Sequence, residues 1–271
     1  MPWRCPGFLP AAPRERSCDL GRSTRRGAGR CLSRGGYEAN HVVNGDVDGK
    51  ALELVTGALS RLARTRPVFH SEADFQHGLA WQIQLDHPDA RVRLETRPLA
   101  GRSVFLDLAV VVGGTRFAIE LKYLVRALTT TSDGERFDLR AQSAHDVRRY
   151  DVVKDVCRVE EFVAEGFADV GFVVVLGNDP AYWTAGRNAT IDSAFRLHDG
   201  RTLEGELAWA ANAGAGTMHK RETSLRVVGS YPIRWTDYSD AGVQGGVFRA
   251  LVLSISPPLT KSVELLRDRR P

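Results

Sequence analysis

SVFLDLAVVVGGTRFAIELKY, residues 103–123, reads as two strands joined at Gly113-Gly114. Val104 to Val112 is a nearly unbroken apolar run, and Arg116 to Tyr123 is a second. A Gly-Gly pair between such runs is a hairpin signal, because both glycines can take the positive φ that tight primed turns need. With these two as the loop, Val112 pairs with Thr115, and counting outward sets Asp107 opposite Glu120. Cross-strand partners have Cβ atoms ~5 Å apart, and like charges there repel. Lys122, two residues beyond Glu120, points to the same face. Two facing carboxylates and an ammonium within a buried sheet are costly unless something offsets them. A divalent cation held by hard oxygen ligands would do so.

Asp107, with Glu120-Leu121-Lys122 on the next strand, resembles the PD-(D/E)XK, or restriction-endonuclease-like, nuclease superfamily. Leu106 stands where that name has proline. The resemblance implies an α/β fold with a restriction-endonuclease-like αβββαβ core, its mixed central sheet flanked by helices. It implies Mg2+, with Mn2+ able to substitute, bound by Asp107 and Glu120, with the Leu121 carbonyl oxygen as a further ligand. Lys122 would be the catalytic lysine, and an acid on the helix before the sheet often joins the site. The implied partner is nucleic acid, with DNA the expected substrate, and many members act as homodimers.

The neighbouring pattern supplies the other elements. Ser71 and Asp74 make a capping-box-like start to a helix of about 71–85, in which Phe75, Leu79 and Ile83 repeat every four residues. Glu72 lies in its first turn, on the edge shared with Phe75 and Leu79, and is the candidate extra carboxylate. The string HSEADFQ is also similar to the opening helix of uncharacterised bacterial proteins of this superfamily. Leu52, Val55, Leu59 and Leu62 predict a shorter helix before it. Arg91 to Glu95 alternates and is the expected first strand. Residues 129–138 form a polar loop around Asp133-Gly134, and a long helix follows over about 141–165, with Val152, Val156, Val159 and Val163 inward. Its many charges, Asp155 and Arg158 among them, read as solvated i,i+3 and i,i+4 partners. Gln142 and Arg149, near its start, are the candidates for nucleic-acid contact that some superfamily members place there. The continuous run over 169–177 suits a strand buried on both faces, parallel to a neighbour reached through the helix. The core then spans about 68–178, with a β-rich extension over 179–260 that includes Trp183, Trp209, Trp235 and Tyr238. Aromatic residues on strands usually belong to a core, although they can stack on bases.

Charge is placed unevenly. The pI is about 9.0, yet residues 1–40 hold eight arginines against three acids, and the remaining chain is close to neutral. The basic segment, rich in Gly, Pro and Ser, reads as a disordered tail, and 41–271 as a single nuclease-like domain. Bulk charge by itself does not argue for DNA binding. Cys5, Cys18 and Cys31 lie in the tail and only Cys157 in the body, without a C-x-x-C pair, so neither zinc nor a disulfide framework is expected and a reducing cytoplasm is. No apolar run approaches the ~20 residues of a membrane helix.

Asn44 to Gly49 carries half a calcium loop, but Val55 stands where its closing glutamate belongs. Hydrolase elbows, H-E-x-x-H and dinucleotide glycine patterns are absent from the sequence, and His70-Ser71-Glu72 lacks the cysteines of a zinc deaminase. The leading expectation is metal-dependent phosphodiester hydrolysis by Glu72, Asp107, Glu120 and Lys122. One alternative is a catalytically inactive nuclease-fold module that binds nucleic acid or a protein. Another is a structural Glu120–Lys122 ion pair on an exposed strand face.

Overall fold

Gly113 and Gly114 take φ values of 56° and 86°, and Val112 pairs with Thr115 across them. The computed structural model describes residues 44–99 and 101–257; the basic tail, Cys5, Cys18 and Cys31 lie outside them. Strands β1 (Arg91–Thr96), β2 (Leu106–Val112) and β3 (Thr115–Leu124) form an antiparallel meander. A small hairpin, β4 (Leu128–Ser132) and β5 (Glu135–Leu139), follows, and then helix α3 (His145–Ala164) crosses to β6 (Val170–Gly177). β6 lies parallel to β3, with Phe117 beside Val170 and Leu124 beside Gly177. All eight residues of β6 are buried, as a strand covered on both faces must be.

Beyond β6 come the paired strands β7 (Thr202–Leu207) and β8 (Leu225–Pro232), then β9 (Trp235–Asp240) and β10 (Val247–Ile255). β10 returns antiparallel to β6 and β9 closes the edge, giving one mixed six-stranded sheet of order β1-β2-β3-β6-β10-β9. Its two faces carry separate cores. On one, α1 (Asn44–Thr65) and α2 (Glu72–Asp86) pack Val55, Leu59, Phe75, Leu79 and Ile83 against Leu108, Ile119, Leu121 and Phe172. On the other, α3 packs Val152, Val156, Val159 and Phe162 against Val173, Val175 and Leu253, with Leu203 and Val227 of the β7–β8 pair joining them. Each such side chain contributes about 1.5–3 kcal/mol of burial.

Several segments differ from the pattern reading. Asp133-Gly134 is the two-residue turn of the β4–β5 hairpin rather than part of a loop, with φ values of 49° and 80° that again suit a primed turn. α1 extends from Asn44, so the half calcium loop is the first part of a helix. The extension over 179–260 is not β throughout: it also contains a one-turn helix, Ala215–Met218. Trp235 and Tyr238 are core residues, and the indole of Trp209 donates to the Arg221 carbonyl at 2.8 Å. These contacts make the aromatic residues packing groups.

The β3–β6 contact leaves no space at its far end. A Cβ at Gly177 would overlap the backbone carbonyl oxygen of Leu124, which a side-chain rotation cannot relieve. Gly177→Ala should therefore destabilise the fold by about 1–3 kcal/mol, read as a lowered midpoint in urea melts. An unchanged midpoint would mean that β3 and β6 separate freely at this end.

Candidate active site

Paired residues of β2 and β3 end at Leu108 opposite Ile119, and continuing that register sets Asp107 opposite Glu120, as the turn count requires. β3 runs on to Leu124. Its even-numbered backbone faces β6, as the bond from Arg116 N–H to Asp169 shows, so the N–H groups of Leu121 and Tyr123 face the opposite side, where β2 no longer pairs. Two carboxylates take them. Asp107 Oδ2 accepts from Leu121 N–H at 2.7 Å, and Glu72 Oε2 accepts from Tyr123 N–H at 2.9 Å. Such charge-assisted bonds are stronger than the neutral ladder bonds they replace, and they fix both acids at the mouth of the opening between the strands.

Glu72 is placed by the start of α2. Ser71, in an extended conformation, caps the helix through its hydroxyl, which accepts from Asp74 N–H at 3.1 Å. Phe69, two residues before the cap, is tied to β3: Tyr123 OH accepts from Phe69 N–H at 3.2 Å and donates to the Phe69 carbonyl at 3.0 Å. Gln76, one turn on, donates to the Asp107 carbonyl at 2.9 Å and to Glu95 at 3.1 Å. Helix start, β1 and β2 are thus joined around one point.

Glu120 and Lys122 point towards α3, away from the face that carries Ile119 and Leu121. There the helix presents Asp155 and Arg158. Lys122 Nζ lies 2.9 Å from Asp155 Oδ2 and 3.9 Å from Glu72 Oε1. Arg158 Nη2 lies 2.7 Å from Asp155 Oδ1 and 2.8 Å from Glu120 Oε2. The result is a chain of alternating sign, Glu72, Lys122, Asp155, Arg158, Glu120, with Asp107 beside it. It descends from a side chain 44% exposed at Glu72 to one 1% exposed at Glu120. Four carboxyl groups face two cations.

The ionisation of these groups reflects that excess. Burial pushes the Glu120 carboxyl up to about 9, with Asp155 adding to the effect and Arg158 opposing it. Burial also raises Asp155 and Glu72, in each case against the pull of Lys122. For Lys122, burial works against the charge, but Asp155 and Glu72 outweigh it and hold the ammonium firmly protonated. One oxygen of Glu120, Oε1, is buried without a hydrogen-bond partner.

All four proposed catalytic residues therefore meet in one place. Gln142 is brought beside them, but as a clamp: its amide donates to the Tyr123 carbonyl at 3.0 Å and accepts from Val125 N–H at 3.4 Å. Arg149 is not brought there. It is 6% exposed, pairs with Asp192 at 2.5 Å and donates to the Ala181 carbonyl at 2.7 Å, so it is withdrawn from any phosphate. The Leu121 carbonyl, expected to ligate a metal, accepts from Lys122 Nζ at 2.9 Å. The exposed-face ion pair is overturned, because Ala118 is fully buried, Glu120 nearly so, and the partner of Glu120 is Arg158.

Pattern reading missed Asp155 and Arg158, which it took for solvated charges. A signal existed for one of them. Asp155 stands three residues after Val152 and four before Val159, on the buried side of the helix.

Among the described residues, no group of three or more His, Cys, Asp or Glu is gathered closely enough to hold an ion. The residues fit one in other respects: the donors are hard carboxylate oxygens, four carboxyl groups face two cations, and Glu120 Oε1 is unpartnered. No helix among the described residues is long and apolar enough to cross a membrane. No protein-family model, curated protein or solved structure matches the chain.

Proposed function

We propose that this chain is a divalent-metal-dependent nuclease of the PD-(D/E)XK type, hydrolysing phosphodiester bonds of nucleic acid, with DNA the first substrate to test. The observation that carries the reading is the opening between β2 and β3. There Asp107 and Glu72 cap strand N–H groups, while Glu120 and Lys122 project from the same strand towards α3. The order α2, β1, β2, β3, α3, β6, with β3 parallel to β6, supports an αβββαβ core of that kind.

Asp107, Glu120 and Glu72 are the groups that would hold Mg2+. When bound, the ion would polarise the scissile phosphate and acidify an attacking water. The chain's own contribution follows from Lys122. Its ammonium is locked in the charged form between Asp155 and Glu72, so it acts as a fixed cation beside the phosphate and not as a proton acceptor. A preorganised cation at low dielectric stabilises the charge that builds on the phosphate oxygens without reorganising at the moment of reaction. Glu72 orients that ammonium from the solvent side, and Asp155 holds it from beneath.

Calorimetric titration with Mg2+ or Mn2+ tests the reading. Binding is expected in the wild type and is expected to vanish in Asp107→Ala and Glu120→Ala. A protein that binds neither ion, alone or with a short duplex, overturns it. The ion pair from Arg158 to Glu120 favours one second reading, an inactive module that binds nucleic acid without cutting. Duplex binding of equal strength with and without Mg2+, and no cleavage, would support that alternative.

A further inference from the structure

The place of Arg158 in the buried chain goes beyond the catalytic set. Its Nη2 alone serves two carboxylates, Glu120 Oε2 at 2.8 Å and Asp155 Oδ1 at 2.7 Å. Its Nε is buried without a hydrogen-bond partner. Arginine and carboxylate frequently meet through two parallel N–H groups. Here one nitrogen is divided between two acids in place of that two-nitrogen fork. The residue it holds is also the one whose second oxygen, Glu120 Oε1, has no partner. The side chain is less enclosed than its partners: it is 27% exposed, against 1% for Glu120 and 5% for Asp155.

We infer that Arg158 is an internal stand-in for the divalent cation: it holds Glu120 Oε2 in the metal-free protein and gives that oxygen up when the ion binds. Arg158 keeps Asp155 as its anchor, so the exchange releases one ion pair and not two. Metal occupancy is thereby coupled to α3 through a single side chain, and the affinity of the site is set lower than its four carboxylates alone would make it. The same pair of helix residues has a second effect. Asp155, shared between Lys122 and Arg158, keeps Lys122 in place throughout the exchange. This inference rests on the metal-dependent reading of the site.

Mn2+ titrated calorimetrically into the full chain at fixed pH and ionic strength tests it, with the wild type, Arg158→Met, Arg158→Lys and Asp107→Ala compared. Arg158→Met removes the competing cation and should bind Mn2+ at least about fivefold more tightly than the wild type, the lower end of ordinary coupling between linked groups. Arg158→Lys keeps the charge but is too short to bridge both acids, and should fall between them. Because the methionine variant leaves Glu120 without its partner while Asp155 keeps Lys122, far-UV circular dichroism accompanies each titration, and the lysine variant carries the test should the first not fold. Unchanged or weaker Mn2+ binding in a folded Arg158 variant, with wild-type binding present and abolished in Asp107→Ala, overturns this inference alone. Absence of binding in every protein, the wild type included, overturns the metal-dependent function and the inference together.

Discussion

Lys122→Met is expected to reduce cleavage by a hundredfold to a thousandfold or more, the effect of removing one preorganised charge from a transition state, with the fold intact. Methionine keeps the length and apolar stem of the side chain, which is mostly buried, and deletes only the ammonium. Asp155 then retains Arg158 at 2.7 Å, so it is not left as an isolated buried charge. The loss should fall on kcat, because Lys122 neither caps the strand nor carries a carboxylate ligand, and Mn2+ binding should survive. Asp107→Asn is expected to reach the same inactivity by the opposite route. It keeps the shape but loses the anionic oxygen that accepts from Leu121 N–H, and metal binding should be lost with it. Cleavage above about a tenth of wild type in Lys122→Met, with native circular dichroism, would remove this lysine from the mechanism.

The parts of the molecule that local chemistry determines could be read from the sequence. Gly113-Gly114 set the β2–β3 register, and that register placed Asp107 across from Glu120 before any coordinate was needed. The apolar run ending at Gly177 announced a strand buried on both faces, and the helix before it announced a parallel neighbour. Ser71 marked the start of the helix that carries Glu72. What stayed hidden depends on partners far along the chain. Arg149 looks like a surface cation until Asp192, in a segment without periodicity, is found against it. Asp155 and Arg158 form an i,i+3 pair that any exposed helix could carry, and only the packing of α3 over Glu120 and Lys122 turns them inward. The β4–β5 hairpin was obscured for a different reason. Thr129 and Thr131 are exposed and its alternation is polar, so the Asp-Gly turn signal stood without the apolar flanks that usually accompany it.

Glu120→Gln is expected to make the metal-free protein more stable, and increasingly so as pH rises. The carboxyl of Glu120 is raised to about 9 in the folded chain by burial, by Asp155 and by Asp107, against Arg158 and Lys122. In the unfolded chain an ordinary glutamate titrates near ~4.3. Between those values the folded state holds a proton that the unfolded state has lost. Stability therefore falls as pH rises through this window, by on the order of 1 kcal/mol per pH unit, and levels off above the folded value. Glutamine mimics the neutral acid and does not titrate, so it abolishes that slope. Melting temperatures of the two proteins should lie close together near pH 4.5 and diverge by several degrees at pH 8, with the variant higher. Adding Mn2+ should reverse the order, because the wild type gains the binding energy of the ion and the variant lacks the ligand. If Glu120 is instead ionised in the folded protein and secured by Arg158, its folded value lies below the unfolded one. The variant would then be the less stable protein at pH 8, and the wild type would gain stability as pH rises from 4 to 7. The sign of that difference decides whether Glu120 is a strained group kept for an ion or a settled half of an ion pair.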